Sequence, residues 1–167
     1  ILAKETNFGN FHKPENYRLS TLPVASSKTI EEASKMIISS KYPVIIIGGG
    51  IKNSEGHSEI LNLAEKLNIP IIMSPGHGDA ISFSHPLNAG QMGPRGNIVA
   101  SRLAKEADLI LALGTRLGFN STFYSYDNIN VNASIIQVEL EPTALGRYFP
   151  ISLGIWGDVK QISSQIC

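Results

Sequence analysis

Pro43-Val44-Ile45-Ile46-Ile47, running into Gly48-Gly49-Gly50, decides the fold. Four consecutive β-branched apolar side chains leave no polar face, so a strand here is covered on both sides, as strands of parallel sheets are. The three glycines release the chain into a tight turn where backbone groups come close to a neighbour. A strand followed by a glycine turn and then a helical pattern is the opening of a β-α-β unit.

Working outward, the same alternation repeats. Upstream, Thr29-Ile-Glu-Glu32 has the form of a capping box, and Ile30, Ala33, Met36 and Ile37 recur at helical spacing, which predicts a helix over 29–39. Downstream, Ser54 to Leu67 reads as one amphipathic helix with Ile60, Leu61, Ala64 and Leu67 inward, and Pro70–Ser74 as a strand. Residues 75–96 carry Pro75, Gly76, Gly78, Pro86, Gly90, Gly93, Pro94 and Gly96 and read as a long loop that is functional or meets a neighbour. A helix over 97–106 and a strand Leu109–Leu113 follow, then a segment 117–133 rich in Asn, Ser, Phe and Tyr. Strand Ser134–Glu139, a short helix near 143–147, strand Ser152–Ile155 and a terminal helix after Asp158 complete the chain. Five strands alternating with helices predict an α/β fold, a doubly wound parallel sheet with helices on both faces, Rossmann-like in type. Residues 1–26, broken by Asn7, Gly9, Asn10, Pro14 and Pro23, read as an inter-domain linker, and 27–167 as the α/β domain.

Composition excludes several classes. The chain of 167 residues is 43% hydrophobic and 17% charged, which suits one packed domain. Lys+Arg and Asp+Glu are 14 each, so no net field draws nucleic acid. No apolar run approaches the roughly 18 residues of a membrane helix. Cys167 is the single cysteine, which excludes an internal disulfide framework or a cysteine zinc site and points to a reducing cytoplasm. A chain that opens on Ile1 and closes on a helical pattern without a C-cap is expected to be cut from a longer polypeptide.

Ligands of doubly wound sheets bind beyond the carboxyl ends of the strands, where strand order reverses. Those ends carry Gly48-Gly49-Gly50, Ser74 to Gly78, Gly114-Thr115-Arg116, Glu139-Leu140-Glu141 and Gly157-Asp158. The glycines suit either a phosphate approached by backbone N–H groups or a turn that needs no ligand. Asn53 stands where a dinucleotide fingerprint has its third glycine, and Met73-Ser74 where a ribose-binding acid closes the second strand, which disfavours a nicotinamide site. Arg116 is placed to fork onto a pyrophosphate or to form a surface ion pair. Glu139 is suited to ribose hydroxyls, and Asp158 to capping the last helix or touching an adenine. His57, His77 and His85, spaced by 20 and 8 residues, match no compact metal motif, and neither a nucleophile elbow nor a phosphate-loop lysine is present, so no metal ligand or catalytic residue is assigned.

The order of several strings is more specific than any one of them. Pro43 to Gly50, His85-Pro-Leu87, Gln91-Met-Gly-Pro-Arg-Gly96, Ala107 to Arg116, Ile136 to Pro142 and Ile155-Trp-Gly-Asp158 together resemble the central domain of acetolactate-synthase-like, thiamine-diphosphate-dependent enzymes. The resemblance covers about residues 25–167. His77-Gly-Asp79, Leu113 to Leu117, Leu145-Gly146 and Ile151 to Ile155 lean towards the sulfoacetaldehyde acetyltransferase branch of that family.

The resemblance implies a three-domain parent, assembled as a homodimer or homotetramer, of which this is the middle domain and not catalytic alone. It implies thiamine diphosphate and Mg²⁺ bound by the other domains, with the activating glutamate in the first. A thiazolium carbanion there attacks a 2-oxo acid or aldehyde, and an acyl unit passes to an acceptor, phosphate in the acetyltransferase branch. Several members bind FAD or an adenine nucleotide in the central domain. The matching contacts are Gly48, Gly49, Gly50, Gly93, Gly96, Gly114, Thr115, Arg116, Glu139 and Asp158. Glu139 departs from the family's usual Asp, and Pro94-Arg95 replaces a segment that often reads Met-His. The residues alone leave two other readings open: a stand-alone NAD- or FAD-binding module of an electron-transfer or deacylase-like protein, and a structural spacer with an empty crevice.

Overall fold

The computed structural model of the protein describes residues 9, 12–17 and 21–167. Six strands form one all-parallel sheet: β1 Pro43–Ile47, β2 Ile71–Met73, β3 Asn88–Gln91, β4 Leu109–Leu113, β5 Ser134–Glu139 and β6 Leu153–Trp156. Their order is β3-β2-β1-β4-β5-β6, which is the 3-2-1-4-5-6 arrangement of the dinucleotide-binding fold, with the reversal between β1 and β4. The helices are α1 Ser27–Ser39, α2 Gly50–Ser54, α3 His57–Leu67, α4 Ile98–Glu106, α5 Phe119–Thr122 and α6 Val159–Ile166.

The unbroken apolar run of β1 is explained by what covers it. Ile45 and Ile47 pack on one face with Ala33 and Ile37 of α1, Ile60, Leu63 and Ala64 of α3, and Val159 and Ile162 of α6. Val44 and Ile46 pack on the other with Ala100 and Ala104 of α4 and with Leu117, Ile129 and Phe149 from irregular segments. Each isoleucine of β1 is fully buried, which stabilises the fold by about 1.5–3 kcal/mol per side chain before entropy is counted.

Four expectations are corrected. The sheet has six strands, because the segment 75–96 contains β3. Asn88-Ala-Gly-Gln91 has neither alternation nor β-branching, and its pairing with β2 comes from the backbone alone. Asn88 faces Ile71 and Gln91 faces Met73, an extra residue absorbed at Gly90 with φ +92°. The helix expected over 54–67 starts only at His57, and a short helix that was not expected, α2 Gly50–Ser54, precedes it, the two separated where Glu55 turns left-handed (φ 54°). The cap of α1 is Ser26, whose hydroxyl accepts from the Thr29 N–H at 3.2 Å, so the helix starts two residues before the expected one. Near 143–147 there is only a 3₁₀ turn, Pro142–Ala144.

Much of the expected linker, residues 1–8, 10, 11 and 18–20, lies outside the described residues. Its last residues lie against the domain: Pro23 accepts from the Asp158 N–H at 3.1 Å, and Ala25 packs on the core. No helix among the described residues is long and apolar enough to cross a membrane.

Candidate functional site

At the reversal, the turns after β1 and β4 touch backbone to backbone. The Gly50 N–H donates to the Gly114 carbonyl at 3.0 Å. A Cβ on Gly48 would lie 2.5 Å from that carbonyl oxygen, and one on Gly50 2.5 Å from the Gly114 Cα. Gly114 itself has φ +59° and no room for a side chain against Gly50. A Cβ on Gly49 would meet only the ring end of His77, Cε1 at 2.9 Å, a side chain that can swing aside. Gly48, Gly50 and Gly114 are therefore required by the meeting of two turns, whatever binds above them.

Above this junction are two adjoining hollows of about 570 and about 580 Å³, a size that suits small-molecule sites. They share Gly50, Asn53, Gly114 and Glu139, so they form one crevice over the ends of β1, β4 and β5. The first also takes in His77, Thr115, Arg116, Phe119 and Tyr124. The second takes in Leu22, Glu55, Leu140, Glu141 and Asp158. The crevice is thus cationic and aromatic at one end, acidic and aliphatic at the other.

The polar groups there are unevenly satisfied. Among the described residues the N–H groups of Gly49, Thr115 and Arg116 have no acceptor in the protein, and all three residues line the first hollow. N–H groups left free at a crevice wall are available to an anion. Arg116 is exposed and forms no ion pair among the described residues, so the ion-pair alternative is not what the fold adopts. Its charge reaches Glu141 only weakly; that carboxyl is held below the usual range chiefly by the hydroxyl and N–H of Thr143. Glu139 uses Oε1 to accept from the Leu140 N–H at 3.0 Å. Asp158, 4% exposed, accepts from the Gln161 N–H at 3.1 Å and is the cap of α6, while also lining the acidic hollow.

Eight of the ten expected contacts, Gly48, Gly49, Gly50, Gly114, Thr115, Arg116, Glu139 and Asp158, meet in this crevice. Gly93 and Gly96 do not. Gly93 (φ +90°) is pressed against the Asn120 carbonyl and Pro75, and the Gly96 N–H closes a turn onto Gly93 at 2.8 Å. They shape the exit of β3 instead of the crevice wall.

Sequence reasoning missed Gln137. Its side chain, 2% exposed, donates to the Thr115 carbonyl at 3.1 Å and the Ala144 carbonyl at 3.3 Å, and accepts from the Gly146 N–H at 2.8 Å. It fixes the segment carrying Thr115 and Arg116. A polar residue inside the apolar strand Ser-Ile-Ile-Gln-Val-Glu was the signal. Also missed were Phe119 and Tyr124, which the aromatic content of 117–133 hinted at. Of the histidines spaced by 20 and 8 residues, His57 opens α3, His85 hydrogen-bonds Glu65 at 3.0 Å, and His77 lies in the crevice with its Nδ1 buried and unpartnered among the described residues.

Residues 30–166 match the family described as thiamine pyrophosphate enzyme, central domain. The chain belongs to that family. The central domain is 37% identical over 86% of its length to a sulfoacetaldehyde acetyltransferase of Roseovarius nubinhibens, covering 24% of that protein. It is 42% identical over 64% of its length to a 3D-(3,5/4)-trihydroxycyclohexane-1,2-dione hydrolase of Clostridium perfringens, covering 16% of it. It is 32% identical over 86% of its length to a probable acetolactate synthase large subunit of Methanococcus aeolicus, covering 24%. The chain therefore spans about a quarter of the length of the acetyltransferases it matches. Among its described residues no group of three or more His, Cys, Asp or Glu side chains is arranged to hold a metal. The crevice, with a free arginine and unpaired N–H groups, does fit a nucleoside diphosphate.

Proposed function

We propose that this central domain scaffolds, and holds a nucleotide in, a thiamine-diphosphate-dependent carboligase or acetyltransferase, such as a sulfoacetaldehyde acetyltransferase. Residues 27–167 are the domain and 1–26 the segment leading into it. Thiamine diphosphate and Mg²⁺ belong to other domains of a cytoplasmic parent that is a homodimer or homotetramer, and the chain alone performs no catalysis. When bound there, thiamine diphosphate supplies the carbanion chemistry; this domain supplies orientation and a second ligand site.

The observation that carries the nucleotide reading is the polarity of one crevice at the strand-order reversal. FAD or another adenine nucleotide suits it. Glu139 and Asp158 lie where ribose and adenine groups donate, and Leu22 and Leu140 give an apolar wall to a base. Gly49, Thr115 and Arg116 offer donors to a diphosphate. The relatives' names support the parent chemistry, and the sheet order supports the ligand's place.

The test is to denature the purified chain and look for released flavin or adenine by absorbance, then to titrate the emptied chain with ADP by calorimetry. ADP should bind, and Arg116→Ala should weaken it by about 10- to 100-fold, the range for a lost charged hydrogen bond. A chain that carries no nucleotide and ignores ADP would leave the domain a spacer.

A further inference from the structure

The two edges of the sheet are finished differently. At β3 the backbone groups left over from pairing are taken by the chain's own amides. The Asn97 side chain donates to the Ala89 carbonyl at 3.1 Å and its backbone N–H to the Gln91 carbonyl at 2.8 Å. The Asn88 side chain accepts from the Gly90 N–H at 2.8 Å. With its irregular register around Gly90, that edge is closed to a further strand.

β6 carries none of these devices. It pairs with β5 in unbroken register from Ile136 opposite Leu153 to Glu139 opposite Trp156, and Leu153-Gly-Ile-Trp156 contains no charge and no proline. The Ser152 N–H donates to the Ile135 carbonyl at 2.8 Å. By the two-residue alternation of a strand, Gly154 also faces β5, and the N–H and C=O groups of Leu153 and Ile155 point away from the sheet. Among the described residues no group bonds to them there. Backbone in that state is a template for another strand.

The side chains say which strand. Leu153 and Ile155 turn into the core, so Gly154 and Trp156 share the opposite face. Gly154 is exposed there, and Trp156 is 53% exposed with its Nε1 donating to the Leu140 carbonyl at 2.9 Å. Laid antiparallel on a copy of itself, with Gly154 opposite Gly154, β6 exchanges N–H to C=O bonds between Leu153 and Ile155 in both directions. Each Trp156 then comes diagonally across from the other glycine, within the reach of an aromatic side chain. A ring over a facing glycine supplies the contact that the glycine lacks, and an uncharged strand meets itself without repulsion.

We infer that β6 is a self-association edge: two copies of this chain pair through Leu153–Trp156 about a two-fold axis at Gly154, continuing one sheet through both. The inference gives the oligomer proposed above a surface, and it is independent of what the crevice binds.

The test is sedimentation velocity of the 167-residue chain over a concentration series, with amide hydrogen exchange read residue by residue. The wild type should pass from monomer to dimer. The amides of Leu153 and Ile155 should exchange more slowly as the dimer forms, while that of Gly154, facing β5, stays protected at every concentration. Trp156→Lys, which sets a charge beside the edge, should raise the dissociation constant at least about tenfold, and Trp156→Phe should keep the dimer. Unchanged exchange in β1 and β4 shows that the variants are folded; should Trp156→Lys unfold, the wild-type series decides alone. A chain that stays monomeric at every concentration would overturn the inference, as would a dimer that leaves Leu153 and Ile155 unprotected. Protection already complete in the monomer would overturn it too, by showing the edge covered within one chain. None of these results touches the nucleotide reading.

Discussion

Gln137→Leu tests whether one buried amide holds the crevice together. The substitution keeps most of the volume and removes three hydrogen bonds, to the carbonyls of Thr115 and Ala144 and from the N–H of Gly146. The three losses differ. Thr115 is buried and its carbonyl has no other donor among the described residues, so it is left unpaired at a cost of about 1–3 kcal/mol. The Ala144 carbonyl still accepts from the Arg147 N–H at 3.4 Å, and Gly146 is exposed and hydrates, so each of these bonds is worth about 0.5–1 kcal/mol. The sum is about 3 kcal/mol. For a chain of this size that lowers the melting temperature by roughly 6–12 °C. Urea unfolding followed by circular dichroism should show the midpoint falling with an unchanged slope. ADP affinity should fall as well, because Thr115 and Arg116 lose their anchor. A loss below about 1 kcal/mol with ADP affinity intact would show that the segment is positioned by its own packing, and the assignment of Gln137 would be withdrawn.

Gly114→Ala must fit a Cβ at φ +59° about 2.6 Å from the Gly50 Cα, so it should cost about 3 kcal/mol or more in urea unfolding. Gly76→Ala meets open space but also carries a positive φ, 86°, and should cost only about 1 kcal/mol in the same assay. Asp158→Ala should cost about 1–2 kcal/mol as a lost cap, whereas Asp158→Asn should keep nearly all of the stability. Asp108 supplies a pH test. Burial raises its pKa, but the Ser40 hydroxyl and the N–H groups of Lys41 and Tyr42 outweigh that and hold it below the usual carboxylate range. A lowered folded pKa means that the stabilisation is complete above the unfolded value of about 3.9 and disappears as the pH falls through the folded value. The urea midpoint of the wild type should therefore drop more steeply than that of Asp108→Asn as the pH is lowered past the unfolded value.

The sheet was legible because its central strands are apolar on both faces, and periodicity reports burial directly. β1 and β4, with their bounds at 43–47 and 109–113, could hardly be read otherwise. β3 was not legible, since an edge strand paired by backbone around Gly90 leaves no side-chain pattern. The short helix α2 was not legible, since Gly50-Ile-Lys-Asn-Ser54 is too short to show a period and opens on glycine, and the left-handed Glu55 that delays α3 to His57 is marked only by its backbone angle. The crevice was legible to the extent that strand ends and the order reversal define it. Gly93 and Gly96 fall outside the crevice lining, and a glycine in a family string looks the same whether it faces a ligand or a neighbouring turn. Gln137 escaped because its role lies across the sheet from its own position, in bonds to residues 22 and 7 to 9 positions away.

That last distinction governs how far the glycine motif argues for a ligand. Gly48, Gly50 and Gly114 are forced by the contact of two turns, and a Cβ at any of them would strike protein before it struck a bound molecule. Their presence is equally expected in a domain that binds nothing. What the fold does not need is more telling: a guanidinium at Arg116 with no ion pair and a Thr115 N–H with no acceptor among the described residues, and exposed rings at Phe119 and at Tyr124, the latter on left-handed backbone. All of them border one hollow. Polar and aromatic groups that the fold leaves free and gathers at a single cavity are what a ligand site needs. The discriminating substitutions are therefore Arg116 and Tyr124, which should change ligand affinity with little effect on unfolding, while the glycines should do the reverse.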